Sequence, residues 1–522
     1  STTLTLWGSL VRSQYRPHCK TSVTISLLTL AKHILYSRVS LFHLYSSCME
    51  RSVKYPTVIQ GGMGIAVSSW QLAKQVAIAG ELGVISGTAI DSVVARRLQD
   101  GDLSGDIRRA MSHFPNQETI KEIMDRFYIE GGRSHDKPYL DVPKLSIKGN
   151  LFSNNLLAVS SFVEVWLAKE GHDGLIGMNI LEKIQLAIPA QLYGAMLANV
   201  DYILIGAGIP AQVPRLLDEM SVGNKVAMKV DVADTKEKHY LHFDPRTLGI
   251  DNFPVKRPLF LAIVTSHALV AYLNKDQETK PDGFVIEYHV AGGHNAPPRA
   301  KNHVDENGEA VYNELDIPNL EKILGSGSPF WLAGGYATPT KVKEAISHGA
   351  QGVQVGSLFA LAQESGFTEE NRKGILTALA DPAMKVMTDA SASPTGFPFK
   401  VIQNQQTLSN DLLYKERTRI CDLGYLRTMF QRENGGIGYR CPAEPLDNYE
   451  FKKGAIEQAQ GSKCLCNALM ADIGLGQLRP DGRTEISLLT FGSDLEGPRA
   501  LRAIHPEGWN AVEALNFLKS SL

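Results

Sequence analysis

Cysteine is scarce in this sequence and unevenly placed. Six occur in 522 residues, and none lies between residues 49 and 420. So sparse a set excludes a disulfide scaffold. Net charge is almost absent as well, with 53 Lys+Arg against 55 Asp+Glu giving −2. That balance argues against nucleic acid or an anionic membrane as the main partner. Nor is there a clean apolar run of the ~20 residues that cross a bilayer. The stretch 27–45 is broken by Lys32, His33 and Arg38, and nothing later looks long enough. What is present is ordinary globular composition, 43% hydrophobic and 21% charged, which excludes a largely disordered chain. At roughly 100–200 residues per domain, the length calls for more than one simple domain.

Acidic residues are missing from residues 1–48, which carry Arg12, Arg16, Lys20, Lys32 and Arg38 and much Ser, Thr and Leu. Such composition resembles a mitochondrial-type transit peptide. A well-formed domain begins at once after Met49, so the preferred reading takes 1–48 as a basic leader outside the fold and the protein as cytoplasmic.

From Met49 onward a short apolar strand, a Gly-containing turn and an amphipathic helix recur. Strands are expected at 57–60, 82–86, 175–179, 202–206, 259–265, 283–287, 330–334 and 352–356. Helices are expected between most of them, for example at 70–79, 186–198, 268–274 and 339–347. Continuous apolar strands alternating with helices predict parallel βα units. Eight of them fit an α/β fold of the TIM (β/α)8 type, ~250 residues plus insertions. An open doubly wound sheet competes, because counting βα units cannot show closure. Two further runs, 226–232 and 239–243, alternate and read as an inserted hairpin within 225–257. This puts Lys229 on a hairpin arm and sets aside a Schiff-base role for it. A helical insertion spans 102–150, expected to cap the barrel or mediate assembly. The barrel is drawn over 49–396. Residues 397–522 show no βα repeat, hold four cysteines, and read as a C-terminal extension packed on the barrel or on a partner subunit.

Three motifs sit at strand ends, where barrels place their catalytic loops. Gly61-Gly62-Met63-Gly64 follows the first strand; glycines permit close approach to a planar ligand, and a polarisable Met suits packing on an aromatic ring. Leu332-Ala333-Gly334-Gly335-Tyr336 and Val353-Gln354-Val355-Gly356-Ser357 close the last two βα units, a usual place for phosphate. Glu287-Tyr288-His289-Val290-Ala291-Gly292-Gly293-His294-Asn295-Ala296-Pro297-Pro298-Arg299 follows the sixth strand. There His294, held between a Gly pair and a Pro pair, is the candidate proton-transfer group, and His289 reads as an anchor for the loop.

As an ordered set, GGMG, AGGH, LAGGY and VQVGS resemble the nitronate monooxygenase family, formerly the 2-nitropropane dioxygenases. AGGHNAPPR and SPTGFPFK are most similar to a longer branch that includes enoyl reductases associated with polyunsaturated fatty acid synthases. The resemblance runs over about 56–364 and implies an FMN-dependent barrel. It implies that Gly62, Met63, Asn179 and Gly293 contact the flavin, that Gly334, Gly335, Gln354, Gly356 and Ser357 hold its phosphate, and that His294 is catalytic. Departures exist: Ala296-Pro297 follows Asn295 where shorter members continue with Gly, and Val290 stands where they often carry Glu.

The activity so implied is oxidation of alkyl nitronates with O2 to carbonyl compounds and nitrite, with His294 taking the α-proton of neutral nitroalkanes. The alternative is an enoyl-thioester reductase that re-reduces flavin with NAD(P)H and works with acyl carrier protein. A non-flavin phosphate-binding barrel enzyme and an inactive synthase-associated scaffold stay open. A cysteine-free barrel excludes relatives with a cysteine nucleophile, such as the IMP dehydrogenase type. Small molecules are the expected partners, a homodimer is compatible with the added segments, and specificity is expected from the 102–150 insertion and the extension. Cys421, Cys441, Cys464 and Cys466 could together hold zinc or an iron–sulfur cluster, but they lack C-x2-C spacing, so no metal is expected and reduced thiols are the preferred reading.

Overall fold

The computed structural model describes residues 55–250, 254–300 and 304–522. The expectations for 1–48, and Cys19 and Cys48 with them, lie outside the described residues. Residues 56–522 form one compact unit.

The eight expected strands all form, and they close. They are β1 (Val58–Gln60), β2 (Leu82–Ser86), β3 (Ile176–Leu181), β4 (Tyr202–Gly206), β8 (Leu259–Val264), β9 (Gly283–Glu287), β10 (Phe330–Ala333) and β11 (Gly352–Val355). Every neighbouring pair is parallel, and β1 pairs with both β2 and β11. Closure selects the TIM barrel over the open sheet. The strands are largely apolar because they are buried inside against side chains and outside against helices. Trp331 on β10 is fully buried and donates its indole N–H to the Pro56 carbonyl at 2.8 Å.

The remaining strands belong to the additions. β5 (Val226–Val230) and β7 (His239–Phe243) make the expected antiparallel hairpin, with Lys229 exposed on its arm. Between them, β6 (Val232–Ala233) pairs in parallel with β14 (Thr428–Gln431), whose other neighbour is β15 (Ile437–Arg440). The segment connecting the hairpin arms is thereby joined to the extension in one small sheet, separate from the β5–β7 pair. The expected border at 396/397 falls inside a further antiparallel pair, β12 (Val386–Asp389) with β13 (Phe399–Ile402). The C-terminal helix Ala511–Lys519 returns to the first barrel helix, Trp70–Ile78.

The longest helix among the described residues was not anticipated. Leu151–Lys169 is, among the described residues, long and apolar enough by length and composition to cross a membrane. Scattered Ser, Asn and Glu residues hide it from a count of uninterrupted apolar runs. It is mostly buried, packed between the helices Ile188–Leu197, Trp70–Ile78 and Ile90–Gln99. Asn150 caps it by accepting from the Ser153 N–H at 3.2 Å.

The extension is held by its own large apolar anchors. Trp509 is fully buried, donates to the Leu358 carbonyl at 2.9 Å, and accepts at its own carbonyl from the Gln363 N–H. Trp509→Ala should therefore cost about 3–5 kcal/mol, read as a lower denaturant midpoint for the whole chain. A separate early transition for the extension alone would contradict this integration.

Candidate functional site

The strand C-termini open into a cleft with two lobes that share Gly62, Gly64, Glu287, Gly292, Gly293 and Thr490. One lobe reaches Asn179 and His294; the other reaches Met63, Gly334, Gly335, Gln354, Gly356 and Ser357. All ten candidate residues read from the sequence thus border one cleft.

The Gly61–Gly64 loop is fixed from below. Gln60 points into the barrel, where its amide donates to the Gly61 carbonyl (2.7 Å), the Ser68 hydroxyl (2.9 Å) and the Val84 carbonyl (3.1 Å). Ser68 Oγ accepts from the Met63 N–H, and Ser86 Oγ donates to the Gly64 carbonyl at 2.6 Å. Position 62 tolerates only glycine, since a Cβ there would lie 2.2 Å from Asn179 Cβ. On the other side, Gly334 and Gly335 hold φ values of +80° and +82°, which other residues rarely adopt.

The cleft wall presents acceptors that no protein group satisfies. Asn179 Oδ1 and Gln354 Oε1 are buried and unpartnered. Such groups are costly unless a ligand supplies donors. Ser357 Oγ accepts from the Gly492 N–H at 2.9 Å, which leaves its own proton free to donate. Glycine floors, orphaned amide oxygens and a free hydroxyl fit a planar ring carrying N–H groups and a phosphate arm. Asp494 opposes the fit: its carboxylate borders the same lobe, with Oδ2 3.3 Å from where a Cβ of Gly335 would stand.

His294 is built by two segments far apart in sequence. It bridges antiparallel to Phe399 on β13, and the Asn295 N–H donates to the Pro398 carbonyl at 2.9 Å. Its ring packs edge-on against Phe399, and Nε2 lies 2.7 Å from Ser393 Oγ. The AGGHNAPPR and SPTGFPFK segments are therefore the two halves of one clamp. Burial, and then the charge of Lys183, push the imidazole down to about 4, so it is neutral near pH 7. His289 serves as the expected anchor, stacked on Tyr312 at 4.5 Å.

Several site residues escaped the sequence reading, Glu287, Lys400 and Cys466 among them. Glu287 ends β9 and borders both lobes; burial alone raises its carboxyl to about 7. It was visible as an acidic residue closing an apolar strand. Lys400, buried two residues before the end of β13, donates to Thr388 Oγ1 and to Ser493 Oγ (3.0 Å), while its backbone N–H holds the Gly293 carbonyl at 2.9 Å. Burial lowers its ammonium to about 8. Cys466 lies in the extension, yet it borders the His294 lobe with Leu465 and Leu469. The absence of cysteine from the barrel segment thus did not keep a thiol out of the cleft. Burial and then the charge of Cys464 push that thiol far up, which keeps it un-ionised and a poor nucleophile.

The extension also supplies Tyr425, Leu426, Thr490, Phe491 and Gly492 to the walls. The 102–150 insertion does not cap the barrel. Its helices Asp106–Met111 and Gln117–Phe127 pack on the outer helices, and it reaches only an adjoining pocket, through Leu145. The cysteines meet as one packed group, described below, but among the described residues no set of three or more His, Cys, Asp or Glu is arranged to hold a metal.

The nitronate monooxygenase family model matches residues 219–422, so the resemblance is borne out over a span that contains the AGGH, LAGGY and VQVGS motifs. No curated protein matches the sequence. Among solved structures, FabK from Thermotoga maritima is similar at 15% identity, with 90% of this chain and 93% of that one covered and a TM-score of 0.46. A nitroalkane oxidase from Streptomyces ansochromogenes gives 15%, 90%, 95% and 0.44. The enoyl reductase domain of MlnA, from the macrolactin cluster of Bacillus amyloliquefaciens, gives 11%, 91%, 98% and 0.41. At these scores none of the three carries an argument about this chain.

Glu287 yields a test that needs no ligand. Its folded pKa lies above the ordinary 4.5, so its contribution to stability is full below 4.5 and is lost as pH rises through about 7. Glu287→Gln should flatten the fall in denaturant midpoint across that interval. An unchanged pH profile would show the carboxyl to be solvated.

Proposed function

We propose that this protein is an FMN-dependent oxidoreductase of the nitronate monooxygenase type, oxidising alkyl nitronates with O2 to carbonyl compounds and nitrite. The observation that carries the reading is a neutral, clamped His294 beside a glycine-floored cleft with unsatisfied amide acceptors. Gly62, Met63, Asn179 and Gly293 would border the flavin ring, and Gly334, Gly335, Gln354, Gly356 and Ser357 its phosphate arm. The flavin, when bound, supplies the electron transfer.

The chain's own residues bind, orient and move protons. A neutral nitroalkane must lose its α-proton, and His294 is the base in reach of that lobe. In isolation a group near 4 is a weak base. A developing nitronate charge beside it favours the imidazolium and raises its basicity when the proton moves. Ser393 fixes the ring orientation, backed by Thr395 at 2.8 Å. A pre-formed nitronate needs no base. Leu465, Leu469 and Leu426 give that lobe an apolar wall.

A second reading, enoyl-thioester reduction with NAD(P)H and an acyl carrier protein, is favoured by one feature. The His294 lobe continues past Ile184, Tyr425 and Leu426 into an outer pocket bordered by Lys183 and Arg427. A long acyl arm ending in an anion would fit that path.

Anaerobic mixing separates the two. Under the first reading a nitronate bleaches the bound flavin and NADPH does not; bleaching by NADPH alone selects the second. Protein that cannot take up FMN rejects both. His294→Ala should keep FMN and nitronate turnover yet lose about 100-fold or more on neutral nitroalkanes. Undiminished nitroalkane turnover would remove His294 from its role.

A further inference from the structure

Cys421, Cys441, Cys464 and Cys466 are scattered over the extension in sequence, but they pack together with Ala443 into a single cluster. All four are free thiols. They are not equivalent. Cys421 is half-buried and in reach of a small oxidant, whereas Cys441 and Cys464 are buried. Cys421 packs against the cluster that holds Cys441, and the two thiols are close enough to perturb each other. Cys464 is engaged elsewhere, accepting from Asn467 Nδ2 at 3.3 Å. Cys464 and Cys466 are separated by one residue at the start of the helix Leu465–Ala471, too close in sequence for an unstrained disulfide.

We propose that Cys421 and Cys441 form an oxidisable dithiol, a modification site at which hydrogen peroxide closes a disulfide. Cys421 Sγ attacks the peroxide O–O bond, giving a sulfenic acid and water. Cys441 Sγ then displaces the sulfenic hydroxyl as a second water. In sum, two thiols and one H2O2 give one disulfide and two H2O, with sulfur oxidised and peroxide oxygen reduced. The surroundings divide these roles. The neighbouring Cys441 thiol, with Lys144 and Arg427 nearby, brings the Cys421 thiol down to about 7, against the opposing effects of burial and Glu444. The Cys441 thiol is held up by Cys421 and by burial, as suits a resolving partner.

The location gives the bond a consequence. Cys421 and Cys441 flank the β14–β15 hairpin and the segment carrying Tyr425 and Leu426, which border the cleft. The disulfide fastens that wall from behind. This assignment does not depend on the flavin reading.

The test treats the full reduced protein with a small excess of hydrogen peroxide, alkylates the remaining thiols, and maps peptides without reductant. A Cys421–Cys441 linked peptide, an intact mass lower by about 2 Da, and reversal by dithiothreitol are expected. In Cys441→Ser, Cys421 should instead stop at a sulfenic acid trapped by dimedone. A link between another pair in the wild type would overturn the proposal. So would wild-type Cys421 that gains oxygen without linking, or that stays unoxidised while remaining open to alkylation.

Discussion

Closure of β1 onto β11 is the constraint from which the site follows. Val58, Ile59 and Gln60 stand opposite Val353, Gln354 and Val355, and the Gly61 N–H continues the pairing to the Val355 carbonyl at 2.9 Å. That register sets the first glycine loop against the last one, although nearly 300 residues of chain separate them. Because every strand is parallel, all eight carboxyl ends open on the same side. The remaining architecture serves to cover that side and to stabilise what stands there.

The cover comes from the extension rather than from the large early insertion. β13 holds the His294 loop by backbone bridges, and Lys400 fastens both the loop and Ser493 from behind. The loop at 490–494 lies against the lobe of Ser357, and the helix Leu465–Ala471 against the other. Burial of this kind does electrostatic work. The same desolvation holds His294 neutral, lifts Glu287 into the neutral range and suppresses the acidity of Cys466. Three groups of different chemistry are tuned by exclusion of water, with little help from ion pairs.

The small sheet β15-β14-β6 shows why extension and barrel behave as one body. Neither the two-residue β6 nor the short hairpin β14–β15 would be stable alone. Pairing across them ties the 225–257 insertion to the wall that carries Tyr425 and Leu426.

While the family resemblance singled out the ten residues around the cleft, the amino-acid pattern alone determined the barrel strands, the inserted hairpin and the glycine and histidine motifs at the strand ends. Each rests on a local rule: an apolar run for a doubly buried strand, a glycine where the backbone must turn or approach closely, a histidine fixed between rigid neighbours. Tertiary structure alone decided closure, since no local pattern distinguishes a closed ring from an open sheet. It also decided that Phe399 and Ser393 hold His294, that Cys466 enters the cleft, and that Cys421 and Cys441 meet in one cluster. These contacts join residues tens to hundreds of positions apart, and their energies depend on the dry surroundings created by folding. The helix Leu151–Lys169 belongs with these: its interspersed polar residues concealed it in the sequence until its packing partners were in place.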